Sequence, residues 1–99
     1  MIAKTELIIN KGDSAILIVG IKNIKDTQLN YFIRFDDTYN WMENLNKIHK
    51  LGPKSVDVQS IKINPSAGTP SGQYNTSINI IDKNMDSVYA SEKISIIVK

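Results

Sequence analysis

The most constraining feature of the sequence is a series of short apolar segments in which apolar and polar residues alternate. Such alternation places the two sets of side chains on opposite faces of a β-strand. The signal is strongest in residues 14–22, where Ala15, Leu17, Val19 and Ile21 share one face. Clusters of asparagine, aspartate, glycine and proline separate the segments and are typical of turns. The sequence therefore predicts about six or seven short strands and no long amphipathic helix.

Most predicted strands alternate clearly, but two stretches of the chain depart from the pattern. The predicted strands cover residues 7–9, 14–22, 29–35, 56–63, 74–80 and 94–98. In the fourth of these, the apolar side chains change from even-numbered to odd-numbered positions, which predicts a β-bulge near Gln59 and Ser60. Residues 39–51 fit neither a strand nor a helix well. We predict an irregular crossover there, with at most a turn or two of helix.

Chain length and strand pattern together indicate the fold class. A chain of 99 residues, of which 41% are hydrophobic, has room for one domain with its own core. Residues 1–99 are therefore predicted to form a single domain. Short strands with frequent turns are typical of an all-β antiparallel sandwich with about seven strands and Greek-key connections. A doubly wound α/β sheet needs helices of about ten or more residues between its strands, and no segment predicts one. The predicted core consists of Leu17, Val19, Ile21, Tyr31, Ile33, Phe35, Ile78, Ile80, Ile94 and Ile96.

The composition excludes several kinds of chemistry. The chain has no cysteine, which excludes disulfides, cysteine-based zinc sites, thiol nucleophiles and iron–sulfur clusters. A net charge of +2 with 22% charged residues is too weak to indicate a nucleic-acid partner. No apolar run reaches the roughly 18–20 residues of a membrane span. Residues 1–6 lack the features of a signal peptide, so we expect either a cytoplasmic protein or a domain of a longer exported chain.

Two candidate positions for metal binding or acid–base chemistry have simpler interpretations. His49 is the only histidine, and a metal site needs several ligands. We interpret His49 as an exposed loop residue. Adjacent Asp36 and Asp37 follow a predicted strand and are interpreted as a solvated turn.

A third candidate resembles the start of a calcium-binding loop. Asp82, Asn84 and Asp86 have the alternating spacing of such ligands. However, Ser87 and Lys93 stand where the loop requires a glycine and a bidentate glutamate. A hairpin turn explains these residues better. We therefore predict a protein that is not an enzyme and has no catalytic residues, metal site or cofactor.

Several short motifs follow one another in an order that resembles a known family of modules. They are Gly12-Asp13-Ser14, Ile21-Lys22-Asn23, Leu51-Gly52-Pro53-Lys54-Ser55, the loop from Pro65 to Tyr74, and the terminal strand Ile94 to Val98. The order resembles immunoglobulin-like modules of bacterial or archaeal cell-surface proteins, such as the alpha-galactosidase-associated module and the bacterial cell-adhesion-related domain. This resemblance implies an immunoglobulin-like sandwich in an extracytoplasmic, surface or secreted protein. It also implies a non-catalytic role in adhesion, spacing or assembly, with neighbouring domains or protein subunits as partners.

The end of the proline-rich loop predicts a structural tyrosine. Gly72-Gln73-Tyr74 resembles the tyrosine corner of Greek-key sandwiches, in which the hydroxyl bonds to the upstream backbone. Tyr74 and Gly72 are therefore predicted to be structural, with a positive φ at Gly72. The following Asn75-Thr76-Ser77 is a sequon, which makes Asn75 a candidate glycosylation site in an exported chain.

Two other functions remain open from the residues. In a carbohydrate-binding accessory module, exposed Trp41, Tyr39 or Tyr89 would stack on sugar rings, although Trp41 also fits the core. In a subunit of an extracellular filament or stator, the chain would form oligomers.

Four apolar side chains lie on strand faces where alternation predicts polar residues. They are Ile16, Ile18, Phe32 and Ile97. Exposed apolar patches mark interaction sites, so we predict an interface with a neighbouring domain or subunit where at least two of the four are contiguous. The alternative is that residues 39–51 fold over these side chains and bury them.

Overall fold

The computed structural model describes residues 2–3, 5–36, 41–42 and 47–99. These residues form eight strands and no helix, as expected for a chain rich in β-branched isoleucine. The strands are β1 (Ile2–Ala3), β2 (Glu6–Ile9), β3 (Ala15–Lys22), β4 (Leu29–Phe35), β5 (His49–Leu51), β6 (Val56–Ile63), β7 (Gly72–Asp82) and β8 (Ser87–Val98).

The strands form two sheets. The three-stranded sheet has the order β1-β3-β6, and the five-stranded sheet has the order β2-β8-β7-β4-β5. The chain therefore passes between the sheets after β1, β2, β3, β5 and β6. All neighbouring strands are antiparallel except β2, which pairs in parallel with β8. The predicted all-β sandwich is confirmed, with one parallel pair that alternation alone does not reveal.

The core lies between the sheets and is built from their inward-facing side chains. All ten residues predicted for the core are buried. They share one cluster with side chains from β2, β5 and β6, including Leu7, Leu51 and Ile63. The predicted core is therefore confirmed. The alternation identified these residues because successive side chains of a strand point to opposite faces of the sheet.

The bulge predicted near Gln59 and Ser60 is wrong. β6 pairs with β3 without interruption, from Val56 opposite Lys22 to Ile63 opposite Ala15. The apolar pattern changes parity because the inward face of β6 is polar at its start. A register shift does occur elsewhere, between Ile80 and Ile81 in the pairing of β7 with β8.

Residues 39–51 contain a strand that the sequence did not predict. His49–Leu51 forms β5 at the edge of the five-stranded sheet. Met42 makes an isolated antiparallel bridge to Ile63, and the carbonyl of Trp41 accepts a hydrogen bond from the N–H of Asn64 at 2.8 Å. The remainder of the predicted crossover, residues 39–40 and 43–46, lies outside the described residues.

Candidate interaction surface

The outward face of β3 carries exposed isoleucines. Because Leu17, Val19 and Ile21 point into the core, the strand period turns the even-numbered residues outward. Ile16 and Ile18 are 61% and 52% exposed. Neither is covered by the rest of the described chain, so these two of the four predicted interface residues are contiguous and open.

The neighbouring strand β6 extends this apolar surface. In the register of the two strands, Ile18 lies opposite Ser60, and Gly20 lies opposite Val58. Val56 and Val58 are 65% and 61% exposed. Since Gly20 has no side chain, no side chain of β3 separates Ile18 from Val58 on this face. We call the four exposed side chains, Ile16, Ile18, Val58 and Val56, the apolar band.

Two lysines flank the apolar band. Lys62 lies opposite Ile16, and Lys22 lies opposite Val56. Both lysines are exposed. Among the described residues, no carboxylate lies within ion-pair distance of either lysine. The band therefore runs diagonally across β3 and β6, and at each end lies a lysine with no carboxylate partner among the described residues.

The other two predicted interface residues lie on the opposite side of the molecule. Phe32 is on β4 and Ile97 is on β8, so both belong to the outward face of the five-stranded sheet. Both are half-buried. Two of the four residues, Ile16 and Ile18, are therefore contiguous on one surface, and Phe32 and Ile97 do not belong to it. Alternation identifies an outward face but not the sheet to which it belongs.

Trp41 does not cover the apolar band. Its side chain is 7% exposed and belongs to the core, where its ring meets the ring of Tyr74 edge-on at 5.0 Å between centroids. A buried tryptophan is not available to stack on a sugar. Tyr89 is half-buried, and its hydroxyl accepts a hydrogen bond from the N–H of Ile24 and donates one to the carbonyl of Lys22. Tyr39 lies outside the described residues.

Tyr74 has the geometry expected of a structural corner. Its hydroxyl donates a hydrogen bond to the carbonyl of Pro70 at 2.7 Å, four residues upstream. Gly72, at the start of β7, has a φ of +159°, close to the limit of the region that L-residues avoid. The corner thus fixes the path by which the proline-rich loop enters β7.

Asn75 is exposed on the outward face of the five-stranded sheet. Its side-chain oxygen accepts a hydrogen bond from Gln73 at 3.1 Å. It lines a concavity together with Ser77, Lys93 and Ser95. A glycan on Asn75 would occupy that side of the molecule, opposite the apolar band, and glycosylation there stays a prediction.

A polar cluster that the sequence did not predict lies between the sheets. The hydroxyl of Tyr31 donates a hydrogen bond to Asp57 Oδ2 at 2.7 Å, and the Gln59 amide donates to the same oxygen at 2.8 Å. The ring of His49 stacks on that of Tyr31 at 5.0 Å. His49 is thus a half-buried strand residue, and its interpretation as an exposed loop residue is wrong. The sequence feature that indicates this cluster is the pair of polar residues, Asp57 and Gln59, at inward positions near the start of β6.

The environment of this cluster shifts two pKa values in opposite directions. Burial and the hydrogen bond to Asp57 raise the pKa of Tyr31. Burial alone would raise the pKa of Asp57, but hydrogen bonds from Tyr31, Gln59 and the N–H of Val58 outweigh it and lower that pKa. The cluster therefore holds a neutral tyrosine against a charged carboxylate at neutral pH, which favours a structural role.

Asn23 ties two loops together at one end of the sandwich. Its side chain is fully buried. The amide nitrogen donates to the carbonyls of Thr27 at 2.8 Å, Leu51 at 3.2 Å and Gly52 at 3.0 Å. The side-chain oxygen accepts a hydrogen bond from the N–H of Lys25. A sequence pattern does not reveal this role of Asn23, because Leu51 and Gly52 are distant along the chain.

The residues that resemble a calcium loop form the turn between β7 and β8. Asp82 Oδ1 accepts hydrogen bonds from the N–H groups of Asn84 and Met85, and Asp82 Oδ2 forms a 2.6 Å ion pair with Lys25. Asp36 is exposed and accepts a hydrogen bond from Asn79 at 2.6 Å, whereas Asp37 lies outside the described residues. Within the part of the chain that the structure describes, no three potential metal ligands cluster.

The fold is similar to several solved structures, although no known protein family and no curated protein matches the sequence. One is a family 123 glycoside hydrolase from Clostridium perfringens, with a TM-score of 0.78, 11% identity and coverage of 95% of this chain. Another is SSP-19, an MSP-domain protein-like family member of Caenorhabditis elegans, with a TM-score of 0.60, 9% identity, and coverage of 96% of this chain and 94% of that one. A third is the CupB2 chaperone of Pseudomonas aeruginosa, with a TM-score of 0.58, 13% identity and coverage of 99% of this chain.

These similarities establish the fold and nothing finer. The chain is an immunoglobulin-like β-sandwich, as predicted. It spans 22% of the hydrolase chain and 55% of the chaperone chain. Among the described residues there is no helix able to cross a membrane.

Proposed function

We propose that the chain is a non-catalytic immunoglobulin-like module of a bacterial or archaeal surface or secreted protein. In this proposal it acts in assembly, and the apolar band is its contact surface for a neighbouring domain or protein subunit. The observation that carries the proposal is the exposure of Ile16, Ile18, Val56 and Val58 together on one outward face. The resemblance of the motif order to cell-surface modules supports the location outside the cytoplasm.

The apolar band is large enough to contribute to association. Covering a fully exposed valine or isoleucine stabilises a complex by about 1.5–3 kcal/mol. The four side chains are 52–65% exposed, so covering all of them provides on the order of 4–7 kcal/mol. Part of this offsets the loss of translational and rotational freedom on association. The rest supports a specific contact when polar groups at the rim are also paired.

The outward face of the five-stranded sheet has a different character. Its centre carries Arg34, Ser77 and Lys93 around the buried Asn79. Its exposed apolar side chains, Ile8 and Val88, lie near opposite ends of β8 and do not form one band. A polar face of this kind is expected to meet solvent. The contrast between the two outward faces is the reason for assigning the contact to the three-stranded sheet.

These 99 residues contain no cysteine, so one substitution places a single thiol at a chosen position of the domain. The intact protein without the substitution measures any labelling elsewhere. Ile18→Cys places a single thiol in the apolar band, and Ser91→Cys places one on the opposite sheet, where Ser91 is exposed. Each variant is expressed in the source cells as part of the intact protein and treated with a membrane-impermeant maleimide. The same variants of the purified domain serve as the reference for labelling of an uncovered thiol.

The proposal predicts different results for the two thiols. Ser91→Cys should be labelled in intact cells, and Ile18→Cys should be labelled at least about tenfold more slowly in cells than in the purified domain. Labelling of Ser91→Cys only after lysis would refute the surface location. Labelling of Ile18→Cys in cells at the rate of the purified domain would refute the contact.

A further inference from the structure

We infer that Asp57 keeps the domain from pairing edge to edge with a second copy of itself, because its carboxylate lies at the open edge of β6 and opposes the addition of another strand. The inference concerns the behaviour of the isolated domain. It does not rest on the proposed function, and it holds whichever partner covers the apolar band.

β6 is an edge strand with one open side. It lies at the end of the three-stranded sheet and pairs with β3 along its whole length. On its other side, the described residues meet only its end, where Met42 bridges Ile63. From Val56 to Ser60, no described residue forms a ladder with that side of the strand. An open edge of this kind is a template for pairing with another chain.

The backbone hydrogen bonds at the two ends of β6 show which residues face the open side. Alternate residues of an antiparallel strand direct their N–H and C=O groups to opposite neighbours. The N–H of Asn64 donates to the carbonyl of Trp41 on the open side, and the carbonyl of Ser55 accepts from Asn23, directly after β3. Even-numbered residues therefore direct their backbone groups to the open side, and odd-numbered residues direct theirs to β3.

The residues that would bond to an added strand suit strand pairing. They are Val56, Val58 and Ser60, and all three are exposed. No proline or glycine interrupts this part of β6. Two of the three residues are β-branched valines, which favour a strand. Unless another feature prevents it, this edge should pair with a second copy of β6.

Asp57 occupies the central hydrogen-bonding position of the open side. Its Oδ1 accepts a hydrogen bond from the N–H of Val58 at 3.0 Å, so that donor already has a partner. Its Oδ2 accepts hydrogen bonds from the hydroxyl of Tyr31 at 2.7 Å and from the amide of Gln59 at 2.8 Å. These bonds hold the carboxylate in place at the edge.

The charge of Asp57 also opposes pairing. Its side chain is half-buried and faces inward from the edge strand, and no cation among the described residues lies within ion-pair distance of it. A strand added beside β6 would remove water from the carboxylate, and burial of an unpaired charge is strongly unfavourable. An inward charged side chain on an edge strand is one of the ways in which proteins prevent edge pairing.

Asp57→Thr tests the inference, because it removes the carboxylate and keeps a β-branched side chain that suits a strand. Tyr31 keeps its hydrogen bond from the Gln59 amide at 3.2 Å, so the variant should fold, which circular dichroism and the unfolding midpoint verify. Sedimentation velocity should then give a dissociation constant for self-association at least about tenfold lower than that of the wild type. Gln59→Thr is the matched control, since it alters the same cluster and keeps the charge, and it should associate no more tightly than the wild type.

A second substitution shows whether any association uses the open edge. Asp57→Thr/Ser60→Pro removes a backbone N–H that faces the open side and none that bonds to β3, so it should restore the wild-type dissociation constant. Amide hydrogen exchange in the wild-type monomer tests the edge itself. The amides of Val56 and Ser60 should exchange at least about tenfold faster than those of Gln59 and Ile61, which donate to β3.

Three results would overturn the inference. Self-association of folded Asp57→Thr no tighter than that of the wild type at concentrations up to about 1 mM would show that the carboxylate does not prevent pairing. Association that persists with Ser60→Pro would place the contact away from this edge, and slow exchange at Val56 and Ser60 in the monomer would show that the edge is covered within the domain. If Asp57→Thr does not fold, Asp57→Asn removes the charge and keeps the shape. It should still associate more tightly than the wild type, and unchanged association would then overturn the inference.

Discussion

Replacement of Asn23 by alanine should destabilise the domain more than any surface substitution. The side chain is fully buried and bridges the loop after β3 to the turn before β6 through the carbonyls of Leu51 and Gly52. It also closes its own loop through the carbonyl of Thr27 and the N–H of Lys25. Asn23→Ala leaves all four of these backbone groups without their partner.

The size of the effect follows from how well water can replace the lost hydrogen bonds. The bond to Leu51 is buried, whereas those to Thr27, Gly52 and Lys25 are partly buried. A buried polar group left unpaired costs about 1–3 kcal/mol, and a partly hydrated one costs less. The removed side-chain atoms also leave a small cavity. Together these effects predict a loss of about 2–4 kcal/mol in the free energy of unfolding.

Urea unfolding followed by circular dichroism measures this loss at constant m-value. Asn84→Ala is the matched control, because Asn84 is exposed and its replacement should change stability by less than about 0.5 kcal/mol. Asn23→Asp is a second test, since it keeps the shape but points a carboxylate at three carbonyl oxygens. A loss below about 1 kcal/mol for Asn23→Ala would refute the role of this residue in joining the two loops.

Three further substitutions test the core, the corner and the ion pair. Ile21→Ala should lose about 2–5 kcal/mol in urea unfolding, because it removes buried methyl groups and leaves a cavity; a loss below about 1 kcal/mol would contradict its inward orientation. Tyr74→Phe should lose about 1 kcal/mol, because it removes the hydrogen bond to Pro70, and an unchanged unfolding midpoint would contradict the corner. The ion pair with Lys25 lowers the pKa of Asp82, although burial of the carboxylate opposes this shift. The charged carboxylate therefore stabilises the fold above about pH 4, and this stabilisation is lost as the pH falls through the lowered pKa. Asp82→Asn should therefore be less stable than the wild type at pH 7, with a difference that shrinks in acid; a difference independent of pH would contradict this role of the carboxylate.

The strands and most of the core were predictable because alternation directly encodes which side chain points inward. In β3 and β4 the odd-numbered apolar residues, from Leu17 to Phe35, are buried as predicted. β5 was not predictable, since three residues are too few to show a period. Its position is set by pairing with β4, where Leu51 lies opposite Leu29.

The polar start of β6 shows why the candidate site was only half predicted. Asp57 and Gln59 point inward, and that orientation is stabilised by the hydroxyl of Tyr31, which is distant along the chain. In the sequence alone, Asp57 at an inward position interrupts the alternation of apolar and polar residues, because its hydrogen bond with Tyr31 is not evident there. With a bulge predicted in β6, Val56 and Val58 could not be assigned from the sequence to the outward face that they share with Ile18. Phe32 was grouped with Ile18 because an alternating pattern does not identify the sheet to which a strand belongs.

The outward orientation of the apolar band supports every functional conclusion drawn for this protein, and one comparison of stabilities tests it directly. Ile16→Thr/Ile18→Thr keeps β-branched residues that suit a strand, and on an exposed face it should change the free energy of unfolding of the isolated domain by less than about 1 kcal/mol. Ile21→Thr makes the same substitution on the inward face of the same strand and should cost about 2 kcal/mol or more. A loss of that size in the outward double variant would show that the band is covered within the domain and would contradict its assignment as a contact surface.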